Sequence, residues 1–240
     1  MDFAIHQPSF IPWPGFFLKA QNAHLLILLD LVQFPRGFSW VNRNRIKGPQ
    51  GEIWLTVPVL KKGRGLQAIN EVKLLPEGKW RKKHLSTFEH CYKNAPYFDM
   101  LFEKISKTYG SSTMLADMNY ELIALCNSIY QTGTKIIRQS DLGVRGTGME
   151  LLVNIAQAVD GKRFVSLSSA KRHIDQAVLA RHHVEMKWIR YEPPVYPQLW
   201  GDFKKDLSIL DLLFCYGPTA KDIVQRFNHP FVQAWEAKPS

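Results

Sequence analysis

The chain has 240 residues, of which 45% are hydrophobic and 22% are charged, a balance typical of a globular protein and unlike that of disordered or fibrous chains. No apolar run approaches the roughly 20 residues of a membrane span, and three widely spaced cysteines without a CxxC motif indicate a reducing compartment, so we expect a cytoplasmic protein without a membrane span. The formal net charge of +10 favours a polyanionic partner, whether a phosphorylated small molecule, nucleic acid or anionic lipid.

The first thirty residues predict a strand, a rigid loop, a helix and a second strand. Residues 3–5 are apolar, and the segment 6–15 that follows contains three prolines within seven residues. Proline fixes φ and removes a backbone donor, which makes this loop stiff. A helix over 16–23 and an apolar strand over 25–29 come next. This order is typical of a ligand-holding unit, in which the ligand binds beyond the carboxyl ends of the strands.

Polar side chains around this loop form the first set of candidate site residues. His6 follows the first strand, beside Gln7, and is a candidate for phosphate binding or acid–base chemistry; the alternative is a histidine that braces the turn. Trp13 is either a packing or a stacking residue. Lys19 lies one helical turn beyond the loop and faces either the same pocket or solvent. Asp30 ends the second strand, where a buried carboxylate requires a cation, an amide or a ligand.

An alternation of amide and basic side chains marks the second candidate segment. In an extended chain, the amide side chains face one side and the basic side chains the other. The basic edge suits a phosphate or carboxylate, and the amide edge suits a polar head group. A solvated basic face is the alternative. The candidate binding residues here are Asn42, Arg43, Asn44, Arg45 and Lys47, preceded along the chain by Gln33.

The remaining elements predict an α/β fold. Residues 53–59 and 69–75 are expected to form a hairpin or adjacent strand pair, and 79–131 a helical insertion or lid. Further along, strands over 135–137, 163–167 and 184–191 alternate with helices that start at 147 and span 169–182. Such alternation predicts a single domain over 1–240, with a mainly parallel Rossmann-like sheet, flanking helices and the helical insertion.

The third candidate segment is a proline-rich loop that precedes a helix, over residues 191–214. Tyr196, Gln198 and Asp202 are expected to line a pocket from this rigid, amphipathic loop. Ser208 is placed to cap the following helix, with Asp211 in its first turn. A purely structural role for both residues is the alternative to a role in binding. One or two helices are predicted over 207–226, with a break at 217–218.

Residues 6–17, 42–47 and 195–214, taken together and in this order, resemble the WbqC-like family over nearly the whole chain. One departure is Cys215, where the family pattern leads us to expect an asparagine and a polar contact. The family is associated with bacterial surface-polysaccharide and O-antigen gene clusters, so the resemblance implies acylation or aminoacylation of an amino sugar. A more distant similarity is to the nucleotidylyltransferase-like fold, whose first loop carries HxGH; residues 13–16 keep only the glycine, which weakens a case for adenylyl transfer.

Two functional hypotheses follow. The first is an enzyme that forms an amide on a phosphorylated or nucleotide-linked amino sugar. ATP, an acyl thioester or aminoacyl-tRNA is a possible donor in this reaction. In it, His6 is the acid–base group, the basic side chains of 43–47 clamp phosphate or carboxylate, and Asp30 and Asp211 orient the amine. The alternative is a non-catalytic nucleotide- or nucleic-acid-binding protein, prompted by the net charge.

Overall fold

The structure, a computed structural model, describes residues 1–228 apart from the side chain of Ser111. The strands are β1 (Asp2–His6), β2 (Leu25–Leu28), β3 (Arg43–Gly48), β4 (Gly51–Thr56), β5 (Lys135–Arg138), β6 (Arg163–Leu167) and β7 (Glu185–Ile189). The helices are α1 (Pro14–Gln21), α2 (Trp80–Tyr92), α3 (Phe98–Ser111), α4 (Leu115–Tyr130), α5 (Gln139–Leu142), α6 (Gly148–Ala158), α7 (Gln176–Arg181), α8 (Ile209–Tyr216) and α9 (Ala220–Phe227).

Five strands form one parallel sheet in the order β5-β2-β1-β6-β7. The chain builds outward from β1 through β2 to β5, and then crosses back to place β6 on the other side of β1. This is the Rossmann order, and its direction reverses between β1 and β6. The predicted Rossmann-like α/β fold is therefore confirmed, and the carboxyl ends of β1 and β6 mark the place where such sheets bind ligands.

Both faces of the sheet are covered, which explains the continuous apolar strands. On one face, Ala4 and Leu26 join a large core with α1, α4 and α8. On the other face, Phe3 and Ile27 pack against α6, which starts at the predicted capping box of Thr147 and Glu150. Strands buried on both faces carry apolar residues at successive positions rather than at alternate ones.

The antiparallel hairpin joins β3 to β4, which corrects the predicted pairing of 53–59 with 69–75. A two-residue connection at 49–50 links these strands, and short connections favour hairpin formation over distant pairing. Residues 69–71 form a 3₁₀ turn instead of a strand. The two predicted strands are still in contact at one point, where Val59 and Leu74 form a bridge next to a 2.9 Å hydrogen bond from Leu60 N to Lys73 O.

A second correction concerns the predicted helix over 169–182. It is split into a 3₁₀ helix (Ser168–His173) and α7. Asp175 causes the break, because its side chain accepts hydrogen bonds from the amides of Ala177 and Val178 and so starts a new helix.

The predicted helical stretch over 79–131 is observed as α2, α3 and α4. These helices pack on one another, and α3 and α4 contact α8. The assignment of these helices as an insertion or lid within one domain stays a prediction. The same holds for the domain boundary at 240, because residues 229–240 lie outside the described part. Within residues 1–228, no helix combines the length and apolar character needed to cross a membrane.

The junction between α8 and α9 yields a prediction. Gly217 has φ of 53°, and a Cβ there would lie 2.5 Å from two ring carbons of Tyr97. We expect Gly217→Ala to lower the free energy of unfolding by about 2–4 kcal/mol, because backbone strain adds to a clash with a rigid ring. Urea denaturation measures the loss.

Gly63→Ala is the matched control. Its φ is 74°, but nothing lies within 4 Å of the added Cβ, so only the strain of about 1–2 kcal/mol applies. Equal losses in the two variants would show that Tyr97 does not restrict this position.

A candidate ligand site beyond the first strand

The loop that follows β1 is held in place by a buried amide from β3. Asn44 is buried, and its Nδ2 donates to the carbonyl oxygens of Phe10 at 3.1 Å and Ile11 at 2.7 Å. Ile11 has φ of 43°, a left-handed conformation that is strained for a β-branched residue and persists only when its surroundings impose it. Asn44 therefore fixes the shape of the loop.

Two further donors complete this anchoring. Asn119 of α4 is fully buried, and its Nδ2 donates to Pro8 O at 2.6 Å and Val41 O at 2.7 Å. The amide of Ile209 donates to Pro12 O at 2.8 Å at the start of α8. The rigid loop expected from the three prolines is thus tied to β3, α4 and α8.

A cavity of about 330 Å³ opens against this loop, on the carboxyl side of the sheet. Its lining residues are Ser9, Trp13, Trp40, Asn44, Arg45, Tyr191 and Asp206. The structure thus brings Trp13 together with the predicted binding residues Asn44 and Arg45. Asp206 accepts a hydrogen bond from the Tyr191 hydroxyl at 3.0 Å.

Ser9, Trp40, Tyr191 and Asp206 were not predicted as site residues. The signals were present, since Trp40 directly precedes the basic segment and Tyr191 opens the proline-rich loop. Only the tertiary fold places them on one cavity.

His6 lies at the end of β1 and does not itself line the cavity, but it packs against Trp13, which does. Its Nδ1 is 2.8 Å from the Gln7 carbonyl oxygen, and its ring packs against Trp13 and Phe16 with centroid distances of 5.4 and 5.0 Å. Donation from Nδ1 to a carbonyl leaves Nε2 as the unprotonated nitrogen, and Nε2 has no hydrogen-bond partner among the described residues. Burial, with the charge of Lys19, lowers the pKa of His6 to about 3.

Lys19 is buried under the same strand end, which excludes the solvated lysine. Its Nζ donates to Ile5 O at 2.7 Å, and no acidic side chain within residues 1–228 pairs with it. Desolvation lowers the pKa of this ammonium to about 7. A buried amine without a counterion, beside a histidine with a free nitrogen, is the arrangement expected of a functional site.

Lys47 belongs to a separate buried cluster. Its Nζ donates to Gln198 Oε1 at 3.1 Å and to the carbonyl oxygens of Gly201 and Asp202, and desolvation lowers its pKa. The three basic side chains predicted to form one cationic edge of β3 therefore have different surroundings. Lys47 is buried and binds the 198–202 loop, while Arg43 and Arg45 stay half-exposed.

Asp211 forms the other half of this cluster. It is fully buried and accepts hydrogen bonds from the hydroxyls of Tyr92 at 2.7 Å and Tyr196 at 2.8 Å. Desolvation raises the pKa of Asp211. Ser208 caps α8 by accepting from Leu210 N at 3.3 Å, as the structural alternative anticipated. Both Asp211 oxygens thus have protein partners, and Asp211 does not line the cavity, so its amine-orienting role stays a prediction.

The other candidates lie away from the cavity. Asp30 binds the Ser140 amide at 2.9 Å and the Ser140 hydroxyl at 2.6 Å, which engages both its oxygens at the start of α5. Asn42 donates to Val57 O at 3.0 Å, and Gln33 is exposed. Cys215 is half-buried, and burial raises the pKa of its thiol to about 12.

A Rossmann-order sheet with a rigid, aromatic and polar cavity beyond its first strand defines an α/β protein with a candidate ligand site. Residues 7–223 match the profile of the WbqC-like protein family, to which the chain belongs. A relative from Mycobacterium tuberculosis (strain ATCC 25618 / H37Rv), named Uncharacterized protein Rv1507c, is 33% identical over 225 residues, or 92% of this chain and 96% of that protein. The matched range contains every cavity-lining residue and starts one residue after His6.

The loop anchor gives a prediction for stability. Asn119→Leu leaves the buried carbonyl oxygens of Pro8 and Val41 without donors, so we expect a loss of about 2–4 kcal/mol in the free energy of unfolding. Asn154→Leu is the control, because Asn154 makes a single side-chain hydrogen bond, to Arg145 O, at the surface. Urea denaturation compares the two variants, and a similar loss in both would contradict the anchoring role.

Lys19 gives a prediction for pH dependence. Its pKa is about 7 in the folded protein and near the usual 10.5 when unfolded, so the unfolded state binds more protons between these values. The contribution of Lys19 to the free energy of unfolding should therefore rise with pH across this window, by at most about 1.4 kcal/mol per pH unit.

Lys19→Met should remove this contribution, so the free energy of unfolding of wild type should increase relative to that of the variant as the pH increases from 7 to 10. Urea titrations at several pH values measure the slope. Lys107→Met, which alters an exposed lysine paired with Glu103, should retain the wild-type slope. A wild-type slope in Lys19→Met would mean that the buried amine is not titrating in this range.

Proposed function

We propose that the protein forms an amide bond by transferring an acyl or aminoacyl group to a nucleotide-linked amino sugar, in cytoplasmic steps of surface-polysaccharide biosynthesis. The observation that carries the proposal is the pair formed by His6 and Lys19 under the carboxyl end of β1. Both are nitrogen bases without an acidic partner in residues 1–228, and both adjoin the rigid cavity wall at Trp13 or β1 itself. The family resemblance supports the substrate class.

The chemistry requires a proton acceptor near the amine. The amine nitrogen attacks the acyl carbon and a C–N bond forms. The bond that breaks joins the acyl carbon to a phosphate oxygen, a thioester sulfur or a ribose oxygen of the donor. One amine proton must be taken up, and the leaving group departs with the electron pair. The unprotonated Nε2 of His6 and the amine of Lys19 are the proton acceptors in this proposal.

The two bases have complementary properties. A pKa of about 3 makes His6 a weak base in the empty site, but a bound phosphate or carboxylate would raise it through opposite charge. Lys19, with a pKa of about 7, already matches neutral pH. Because the two groups repel when both are charged, a proton on Lys19 disfavours a second proton on His6.

Asp206 takes the amine-orienting role in this proposal, in place of Asp30 and Asp211. Its carboxylate lines the cavity and uses one oxygen for the Tyr191 hydroxyl, which leaves acceptor capacity for an ammonium or amine. Trp13, Trp40 and Tyr191 supply flat walls of the kind that hold sugar or acyl groups.

A second candidate function is non-catalytic binding of a nucleotide or nucleic acid. It is supported by the net charge of +10 and by Arg43, whose guanidinium has no acidic partner within residues 1–228. It differs from the first in predicting salt-sensitive binding without turnover.

The enzymatic proposal predicts that His6→Ala folds normally and loses turnover by about 10²- to 10⁴-fold, as expected for removal of an acid–base group. Purified protein is incubated with nucleotide-linked amino sugars and, in parallel, with ATP plus a carboxylic acid, an acyl thioester or aminoacyl-tRNA. Mass spectrometry detects the amide product.

His90→Ala, which removes an exposed histidine of α2, is the control and should turn over at the wild-type rate. Unchanged turnover in His6→Ala would remove His6 from the chemistry. Absence of product with every donor would favour the binding function.

A further inference from the structure

Three exposed aromatic rings form a contiguous patch next to the cavity. Phe38, Trp40 and Trp54 are 57%, 41% and 40% exposed. Their ring centroids lie 5.1 to 5.7 Å apart. The Phe38 ring stands at 86° to both tryptophan rings, which are tilted by 32° to each other, so the cluster offers separate ring faces and not one plane. Contiguous exposed apolar surface of this kind marks a place where another molecule binds. We call these three residues the aromatic platform.

Arg43 lies on this platform with its charge unneutralised. Its guanidinium carbon is 4.3 Å from the Trp54 ring centroid and 4.9 Å from that of Phe38. It makes no hydrogen bond or ion pair within the described residues. The neighbouring Arg45, by contrast, pairs with Glu52 at 2.9 Å. Arg43 Nε is buried without a hydrogen-bond partner. The terminal nitrogens of Arg43 make no hydrogen bond within the described residues, which leaves them to an anion.

The platform continues into the cavity on one side and meets a basic loop on the other. Trp40 is shared, since it belongs to the platform and lines the cavity. The basic loop at 61–64 lies beside the segment that leads into Phe38, because Phe34 N donates to Gln67 O at 2.9 Å and the Lys61 ammonium is 4.8 Å from the Phe34 ring. The surroundings are therefore cationic.

We propose that a nucleobase stacks on a tryptophan face of the aromatic platform and that Arg43 binds the adjoining phosphate. Aromatic rings stack on any base, and arginine recognises phosphate through its planar donors. The charge favours this occupant over a second protein, because an unpaired arginine beside a basic loop attracts a polyanion. This deepens the proposed function, on which it rests for the nucleotide-linked substrate, and places the base outside the cavity with the reacting group inside.

Isothermal titration calorimetry tests the proposal without requiring turnover. The probes are UMP, AMP, a ten-nucleotide single-stranded RNA and the same RNA as a duplex. We expect the mononucleotides to bind, the duplex to bind more weakly, and Trp54→Ala and Arg43→Ala to weaken binding by about tenfold or more. Trp188→Ala is the matched control, since Trp188 also carries a cation, Lys171, 5.6 Å from its ring but lies on β7. It should bind like wild type.

The probes distinguish the source of the base. Binding of the mononucleotides supports the proposal, because a nucleotide sugar presents one base with its phosphate. Binding of the single strand without measurable affinity for mononucleotides would assign the platform to RNA and overturn the proposal. No binding of any probe at millimolar concentration, or equal affinity in wild type and Trp54→Ala, overturns the proposal. So does a dimer, seen by sedimentation, that Trp54→Ala dissociates in the absence of nucleotide binding.

His6→Ala separates this inference from the catalytic one. It should bind the probes like wild type, because His6 does not contact the platform. Binding without turnover under any donor would therefore refute the amide-forming reaction alone, whereas turnover that survives Trp54→Ala and Arg43→Ala unchanged would refute the platform alone.

Discussion

The structure depends on how the carbonyl oxygens of the loop after β1 are paired. Prolines at positions 8, 12 and 14 stiffen this loop, but proline brings an acceptor without a donor. Buried carbonyl oxygens must find partners, so donors come from elsewhere: the amide side chains of Asn44 and Asn119 and the backbone of Ile209. The same constraint explains why segments so far apart in sequence meet at one place.

Anchoring also divides the ionisable groups into two kinds. Around Asp211, two tyrosine hydroxyls satisfy the carboxylate, and Lys47 finds three oxygen acceptors. Such complete networks fix a fold, because each member is costly to leave unpaired. Around His6 and Lys19, by contrast, the nitrogens have no acidic partner within residues 1–228, and their pKa values fall to about 3 and about 7. Depressed pKa values beside a rigid cavity are the more informative sign of function.

Local patterns in the sequence predicted the sheet and the rigid loop correctly. They failed for residues whose partners lie far away in the sequence. The alternation of apolar strands and helices identified the Rossmann-like fold, and the period of two along 42–47 correctly separated Asn44 from Arg43 and Arg45. The same period put Lys47 on a cationic edge, yet the loop around Gln198, 151 residues away, covers it. Asp30 likewise meets its partner Ser140 across 110 residues. No local pattern encodes such contacts.

Strand β3 links the rigidity of the loop to ligand contact. Asn44 faces inward to the loop, while Arg43 and Arg45 face outward toward Trp54, which lies opposite Arg45 across the hairpin. Because side chains alternate along a strand, shifting the hairpin by one residue would expose the anchor and bury both arginines. The two-residue connection at 49–50 fixes the register against such a slip. One short hairpin thus sets both the shape of the cavity wall and the position of the aromatic platform beside it.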